Sequence, residues 1–188
     1  MATIRRAGRA RILDGAWIVW SEAEGSRGTR WRESIESDGG VARVTLLETT
    51  KADRLSRLEI AGAAGLLTLH PEPDESALHG NLVSADGVRH LALPWTPEHE
   101  LLLLRSPASA TVTLRRLSAL VEVGASRTVD VVRIDDRLEP RPATWTFERT
   151  ADREWRLRSA DGGEERILRI DPSGRPVLPE AVEWPLEA

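Results

Sequence analysis

Apolar and polar positions alternate along most of the chain. In residues 41–47, Val44 and Leu46 fall on one face, while Arg43 and Thr45 fall on the other. Such a period of two is typical of β-strands that bury one face. The other segments with strand character are residues 17–20, 66–70, 111–117, 128–134 and 144–148. The pattern therefore predicts a mainly β fold.

Glycine-containing turns separate these segments. Asp38-Gly39-Gly40, Asp86-Gly87 and Asp161-Gly162-Gly163 each lie between two strand-like stretches. Aspartate and glycine tolerate the positive φ angles that tight hairpins require. Turn signals at intervals of roughly ten residues are typical of a sandwich, roll or barrel built from antiparallel strands.

Helix signals are weak. Residues 51–64 could form a short helix, because Ala52, Leu55 and Leu58 fall partly on one helical face. The alternation of Leu58 with Ile60, followed by Gly62, favours a strand instead. We therefore expect little helix in the fold.

The length of 188 residues fits one domain. Residues 1–12 contain Arg5, Arg6, Arg9 and Arg11, and we interpret them as a flexible, solvated N-terminal tail. Residues 13–188 would form a single β-roll domain. A Trp-Arg pair precedes an Asp-Gly-Gly turn twice, at Trp31 and at Trp155, so two similar halves are an alternative.

Composition and charge narrow the functional classes. Hydrophobic residues make up 40% of the chain and charged residues 30%, which is ordinary for a folded domain. The net charge is −4 without a concentrated basic patch, which argues against nucleic acid as a partner. There are no cysteines, secretory signal or long apolar run, so we expect a cytoplasmic protein without membrane insertion.

Motifs of common catalytic machinery are missing from the sequence. It contains no Gly-x-Ser-x-Gly turn, and its single lysine, Lys51, does not belong to a phosphate-binding loop. His70, His79, His90 and His99 are spread without metal-ligand spacing. We therefore expect no cofactor, no metal and no enzymatic activity. An enzyme whose histidines and acids converge in one pocket is the alternative of lowest rank.

The aromatic residues are mostly tryptophans, seven against one phenylalanine. Trp17, Trp20, Trp145 and Trp155 lie on strand-like segments, where core packing is the expected role. Trp95 lies in Pro94-Trp95-Thr96-Pro97, and a stretch held between two prolines is expected to be rigid and exposed. We interpret Trp95 as a candidate for the rim of a cavity.

The order of landmarks in the second half resembles a bacterial family of small β proteins designated glycolipid-binding. The matching elements are Trp95-Thr96-Pro97, Thr113-Leu114-Arg115-Arg116-Leu117, Val123-Gly124-Ala125-Ser126, Thr144-Trp145-Thr146-Phe147-Glu148-Arg149 and Trp155-Arg156-Leu157-Arg158. The chain ending from Ile170-Asp171 to Trp184 is also similar in style, and Trp31-Arg32-Glu33 is a looser match.

This resemblance implies a spiral β-roll or half-barrel, similar to that of lipoprotein carriers. It also implies binding of an amphipathic, lipid-like ligand, with glycolipid as one form, in an apolar cavity. Residues 66–69 and 101–104 would line the interior. The candidate ligand-binding residues are Trp95, Thr96, His90, Arg115, Arg116 and Trp145. The alternative is a structural or protein-interaction module that forms a homo-oligomer through its edge strands.

Overall fold

The computed structural model describes residues 5–12, 16–37, 39–103, 105–171, 176–177, 181–183 and 186–187. Asp38, Leu104 and Trp184, which belong to predicted features, lie outside these residues. The chain forms two compact units. The first unit comprises Met1–Pro97, Asp136–Leu138 and Glu180–Ala188, and the second comprises Glu98–Asp135 and Glu139–Pro179.

The first unit contains one antiparallel sheet. Its strands, numbered in chain order, are β1 (Arg5–Ile12), β2 (Trp17–Glu24), β3 (Gly28–Ser37), β4 (Gly40–Thr50), β5 (Leu55–Gly62), β6 (Gly65–Pro71), β7 (Ala77–Ser84), β8 (Gly87–Pro94), β15 (Ala181–Glu183) and β16 (Leu186–Glu187). Strands β1 to β8 pair in sequential order, while β15 and β16 both pair with β1. The sheet is therefore a meander of successive hairpins.

The second unit contains a six-stranded sheet and a helix. Its elements are β9 (Glu100–Leu103), α1 (Pro107–Ser118), β10 (Ser126–Ile134), β11 (Pro140–Ala151), β12 (Glu154–Ser159), β13 (Glu165–Ile170) and β14 (Pro176–Val177). The sheet is strongly curled into a half-barrel. Its strand order is β14-β13-β12-β11-β10-β9, and β9 and β10 are parallel, with α1 as the crossover connection that parallel neighbours need.

The predicted fold class is confirmed. Strands make up 64% of the chain, and α1 is the one helix among the described residues. The hairpin predicted at Asp86-Gly87 joins β7 to β8, with Ser84 paired to Gly87. Gly87 has a φ of 116°, a region that L side chains rarely adopt. Residues 55–62 form strand β5, and Leu58 and Ile60 are fully buried, so the strand interpretation of this segment holds rather than the helical one.

The arginine-containing N-terminal segment was predicted to be a flexible tail, but Arg5–Ile12 form strand β1. Gly8 is paired with Trp20, and the Trp20 ring lies so close that a Cβ on Gly8 would be 2.6 Å from it. The Arg9 guanidinium lies 5.0 Å from the Trp17 ring centroid, within the range of a cation–π contact. Glycine and aromatic contacts therefore hold a segment that its charge alone suggested was free.

The prediction of a strand at residues 111–117 is wrong, because these residues belong to helix α1. The helix begins at a Ser106-Pro107 signature, in which Ser106 Oγ accepts a hydrogen bond from Ser109 N–H at 3.1 Å. Thr111 and Thr113 are buried, and their hydroxyls donate to the backbone carbonyls of Pro107 and Leu101. Buried threonines on a helix thus imitate the alternation of a strand. The Arg115-Arg116-Leu117 motif forms the last turn of this helix.

Aromatic side chains fill the core of the second unit. Trp145, Phe147, Trp155 and Leu157 are almost fully buried and pack with Leu114 and other apolar side chains. The predicted late hairpin is present, because β11 and β12 pair Phe147 with Leu157. Trp145 and Trp155 therefore have the core role that the sequence predicted for them.

Candidate functional site

The predicted ligand residues of the first unit differ in exposure. Trp95 is only 5% exposed, so the prediction of an exposed rim position is wrong for its side chain. Thr96 is exposed. His90 is exposed on β8, where its Nδ1 lies 2.6 Å from Asn81 Oδ1 on β7. The prolines on both sides of Trp95 constrain the backbone but do not determine where its ring packs.

The predicted ligand residues of the second unit lie on α1 and β11. Arg115 and Arg116 are half-buried in the last turn of the helix, where cations interact favourably with the helix dipole. Arg116 Nε lies 3.4 Å from Glu100 Oε1 on β9. Trp145 is 1% exposed within the core, so its ring has no accessible face for a ligand.

The histidines lie on strands of the first sheet or in the second unit. His70 on β6 is paired in register with His79 on β7, and His79 Nε2 lies 3.4 Å from Glu72 Oε1. His70 is exposed, and the side chains of His79 and Glu72 are partly exposed. The described residues hold no group of three His, Cys, Asp or Glu side chains arranged to bind a metal ion.

Two surface carboxyls in the second unit are held in their charged form. Hydrogen bonds from the hydroxyl of Thr150 and from Arg169 lower the pKa of Glu154. The Ser159 hydroxyl and the Gly163 backbone N–H lower the pKa of Asp161. Both groups are fully ionised near neutral pH. The hydrogen bonds of Glu154 stabilise the start of β12, and those of Asp161 stabilise the turn at Gly163.

The inner face of the first sheet has an aliphatic region. Here the inner face means the side of the sheet on which alternate side chains are buried. In register across β4 to β7, buried aliphatic residues occupy two adjacent rows, and Leu78, paired with Pro71, lies in the next row. These residues are Leu47, Leu58, Ile60, Leu67, Leu69, Leu78 and Leu82. They form a continuous apolar surface, as expected for the buried side of an antiparallel sheet.

The same inner face becomes polar and aromatic across β2 and β3. Trp20 is paired with Glu33, and Glu22 is paired with Trp31, so two carboxylates alternate with two indoles. All four side chains are at most 4% exposed, and the two rings lie 5.9 Å apart. Arg6 Nη1 approaches Glu22 Oε2 at 3.8 Å. The inner face of the first sheet is therefore aliphatic across β4 to β7 and carries buried carboxylates and indoles across β2 and β3.

Sequence reasoning missed these buried carboxylates. Glu22 and Glu33 each follow a tryptophan by two residues, a spacing that places both members of the pair on one face of a strand. This spacing of two residues was the feature of the sequence that could have indicated buried glutamates. It was obscured because glutamate is rarely buried and the chain contains many acids.

An open cleft of about 580 Å³ lies at one end of the first sheet. It is formed by the β2–β3 hairpin together with the adjoining parts of β4 and β5. The lining residues are Ala23, Glu24, Gly25, Ser26, Arg27, Gly28, Thr29, Arg30, Glu48, Thr49, Ser56 and Arg57. Hydroxyl and guanidinium groups dominate the polar part of this lining, and both donate hydrogen bonds.

The three arginines of the cleft differ in their ion pairs. Arg30 Nε and Nη2 lie 2.6 Å and 2.5 Å from Glu48 Oε1. Arg57 pairs with Glu59. Arg27 is exposed, and within the described part of the chain no carboxylate pairs with it. Its guanidinium is therefore available to an incoming acceptor group.

The cleft residues Ala23, Arg30, Glu48 and Arg57 form one register row on the outer face, whereas the lining residues Thr29 and Thr49 belong to the buried inner face. These two threonines are paired across β3 and β4, and the next inner-face pair along these strands is Trp31 with Leu47. Thr49 is 4% exposed, and its Oγ1 makes no hydrogen bond to any described residue. Thr45 Oγ1, on the same face of β4, likewise makes no hydrogen bond to any described residue, so this strand buries two hydroxyls without a described protein partner.

The comparisons with known proteins inform the fold alone. A scan against protein-family models gave no match, and a search of curated proteins gave none. Among solved structures, the chain is similar to a DUF1089 family protein from Pseudomonas aeruginosa. The TM-score is 0.55 at 17% sequence identity, and the match covers 98% of this chain and 90% of the other. The chain therefore shares a β-rich fold with that protein over nearly its whole length.

Proposed function

We propose that the first unit binds an amphipathic small molecule without chemical conversion. The observation that carries this proposal is the position of Thr29 and Thr49, where a polar cleft adjoins an aliphatic inner face. The head group would bind in the cleft and the apolar part against the side chains beyond Leu47. A few placed polar groups beside an apolar surface are typical of ligand sites.

The cleft favours a head group rich in oxygen acceptors. Arg27 can donate to a phosphate, carboxylate or sugar oxygen, and the hydroxyls of Ser26 and Ser56 can donate or accept. Phosphate-bearing and sugar-bearing lipids share this chemistry. A glycolipid is the narrower form of the proposal, supported by the mixture of hydroxyls with Glu24 and Glu48, whose carboxylates accept from sugar hydroxyls.

Access to the apolar part requires local opening. Leu47 is 2% exposed and Leu58 is fully buried, so an alkyl chain would have to displace packed side chains. We therefore expect slow association. Because Trp31 follows Thr29 on the same face of β3, its fluorescence should report the event.

Calorimetry with single-chain amphiphiles tests the proposal. Alkyl phosphates and alkyl glucosides of increasing chain length should bind more tightly by about fourfold per methylene. Arg27→Ala removes a charge-assisted hydrogen bond and should weaken binding of the preferred head group by about tenfold or more. Arg127→Ala, on the exposed start of β10, is the matched control and should leave the affinity unchanged.

The head-group series distinguishes the two lipid classes. A preference for the glucosides supports the glycolipid form, and a preference for the phosphates supports an anionic lipid. Equal affinity of the Arg27→Ala and Arg127→Ala variants would exclude the cleft as the head-group site. If affinity does not depend on chain length, the inner face takes no part in binding.

A further inference from the structure

The edges of the two sheets differ in length and exposure. In the second unit, β14 has two residues, and β9 has four residues that are all buried. In the first unit, β15 and β16 have three and two residues. Strand β8 has eight residues, most of them exposed, and β7 is the one described strand that pairs with it. It is therefore the long exposed edge in the described part of the chain.

The backbone of β8 presents a regular set of hydrogen-bonding groups away from β7. A two-residue turn joins the strands, so Ser84 and Gly87 form a hydrogen-bonded pair and alternate residues after Gly87 face outward. Val88, His90 and Ala92 are the residues whose N–H and C=O groups point away from the sheet. Pro94 follows in the same alternation and adds a C=O without an N–H, so three donors and four acceptors remain at this edge.

Strand β8 carries one charged side chain, Arg89, but lacks the other devices that usually protect edge strands. Natural edges carry lysines, central prolines or bulges that prevent pairing with another strand. Strand β8 pairs with β7 without a bulge and contains no lysine, and Pro94 lies at its end. The outward residues Val88 and Ala92 are small and uncharged. This edge is thus suited to accept a further strand.

An exposed apolar row on the outer face leads to the same edge. Val44, Ala61, Leu66, Val83 and Val88 are paired in register across β4 to β8. Their exposures include 46% for Val44, 41% for both Leu66 and Val83, and 61% for Val88. Exposed apolar rows of this kind mark contact surfaces more often than isolated apolar residues do. Val88, the most exposed of these four, lies on the edge strand itself.

We propose that β8 pairs antiparallel with β8 of a second copy of this chain, with the two-fold axis at His90. This register pairs the outward groups of Val88, His90 and Ala92, because His90 faces His90 of the second copy and Val88 faces its Ala92. On the other side of the sheet, Arg89 faces Leu91 of the second copy, so no like charges are directly opposed. An isologous pairing of identical edges is the simplest closed assembly. The first sheet would then be continuous through both copies.

A single cysteine tests the register directly, because the natural chain has none. Residues of a hydrogen-bonded antiparallel pair have Cα atoms about 5.5 Å apart, within the roughly 4.4–6.8 Å that a disulfide spans. The His90→Cys variant should form a covalent dimer on addition of an oxidant. The Val44→Cys variant, exposed on the same face but four strands away, should not. Equal cross-linking of the two variants would overturn the proposed axis.

Sedimentation of the full chain across the micromolar range tests the assembly without a cross-link. The unmodified protein should dimerise, and Val88→Lys combined with Ala92→Lys should weaken the dimer by about tenfold or more, since the lysines would face each other across the axis. Val44→Lys is the control and should dimerise normally. Hydrogen exchange should show the amides of Val88, His90 and Ala92 protected in the dimer. A protein that remains monomeric at all concentrations overturns the proposal. This holds even if β8 is found to pair with a strand of a different protein.

Discussion

Single residues determine how closely the strands of the first sheet approach their neighbours. Gly80 on β7 is buried, and a Cβ at this position would lie 1.7 Å from the backbone oxygen of Thr68 on β6. The obstructing atom is backbone, so a rotamer change cannot relieve the collision. Gly8 under Trp20 differs in kind, because the neighbour there is a side chain.

Gly80→Ala should destabilise the protein because β6 and β7 would have to separate. We expect a loss of about 1–3 kcal/mol in the free energy of unfolding, as for other substitutions that overpack a core. Urea unfolding followed by circular dichroism measures this. Gly39→Ala is the control, since a Cβ at Gly39 meets no atom within 4 Å. Equal stability of the two variants would show that the sheet adapts to the extra methyl group.

At the same scale, the candidate site shows what the sequence could and could not predict. Period-two alternation correctly assigned most strand segments, because burial of one face leaves a local record in the sequence. The cleft has no such record, since residues near Ser26 and residues near Arg57 meet only through the pairing of β3 with β4 and β4 with β5. Arg27 could not be distinguished from other surface arginines without that pairing.

At the scale of elements, the alternation of apolar and polar residues at 111–117 predicted a strand, but the chain forms helix α1 there. Its central residues Thr111 to Leu114 are all buried, so the helix lacks the polar face that usually identifies one. Ser106-Pro107 was the better signal, because serine at the cap and proline at the first helical position mark a helix start. Local capping chemistry was more informative here than periodicity.

The contact between α1 and β9 depends on one buried hydroxyl. Ser109 Oγ accepts a hydrogen bond from Leu103 N–H at 3.0 Å and donates to Leu101 O at 2.9 Å. The Ser109 hydroxyl thus makes the hydrogen bonds to β9 that a neighbouring strand would otherwise make at this edge of the second sheet. Thr113 Oγ1 donates to the same carbonyl at 3.2 Å.

Ser109→Ala should leave the Leu103 N–H buried without a partner. The expected cost is about 1–3 kcal/mol in the free energy of unfolding, measured by denaturant titration. Ser118→Ala on the same helix is the control. Ser118 donates to Leu114 O within the helix, so its loss should change stability by less than about 0.5 kcal/mol. A Ser109→Ala variant as stable as the control would mean that Leu103 N–H finds another acceptor.

At the scale of the whole molecule, the two compact units are discontinuous in sequence. The chain leaves the first unit after Pro97, returns for Asp136–Leu138, and returns again at Glu180. The late strands β15 and β16 pair with β1, and Arg43 Nη1 lies 3.5 Å from Asp136 Oδ1. Among the described residues, no helix is long and apolar enough to cross a membrane.

This connectivity predicts that residues 1–97 do not form a stable unit by themselves. In that fragment β1 would lose its pairing with β15 and β16, and the almost buried side chain of Arg43 would lose its contact with the carboxylate of Asp136. We expect poorly dispersed amide resonances for the fragment alone, and dispersed resonances when residues 98–188 are co-expressed and supply the missing segments. A well-dispersed spectrum of the fragment alone would show that the meander from β1 to β8 is sufficient, and that β15 and β16 close an already stable sheet.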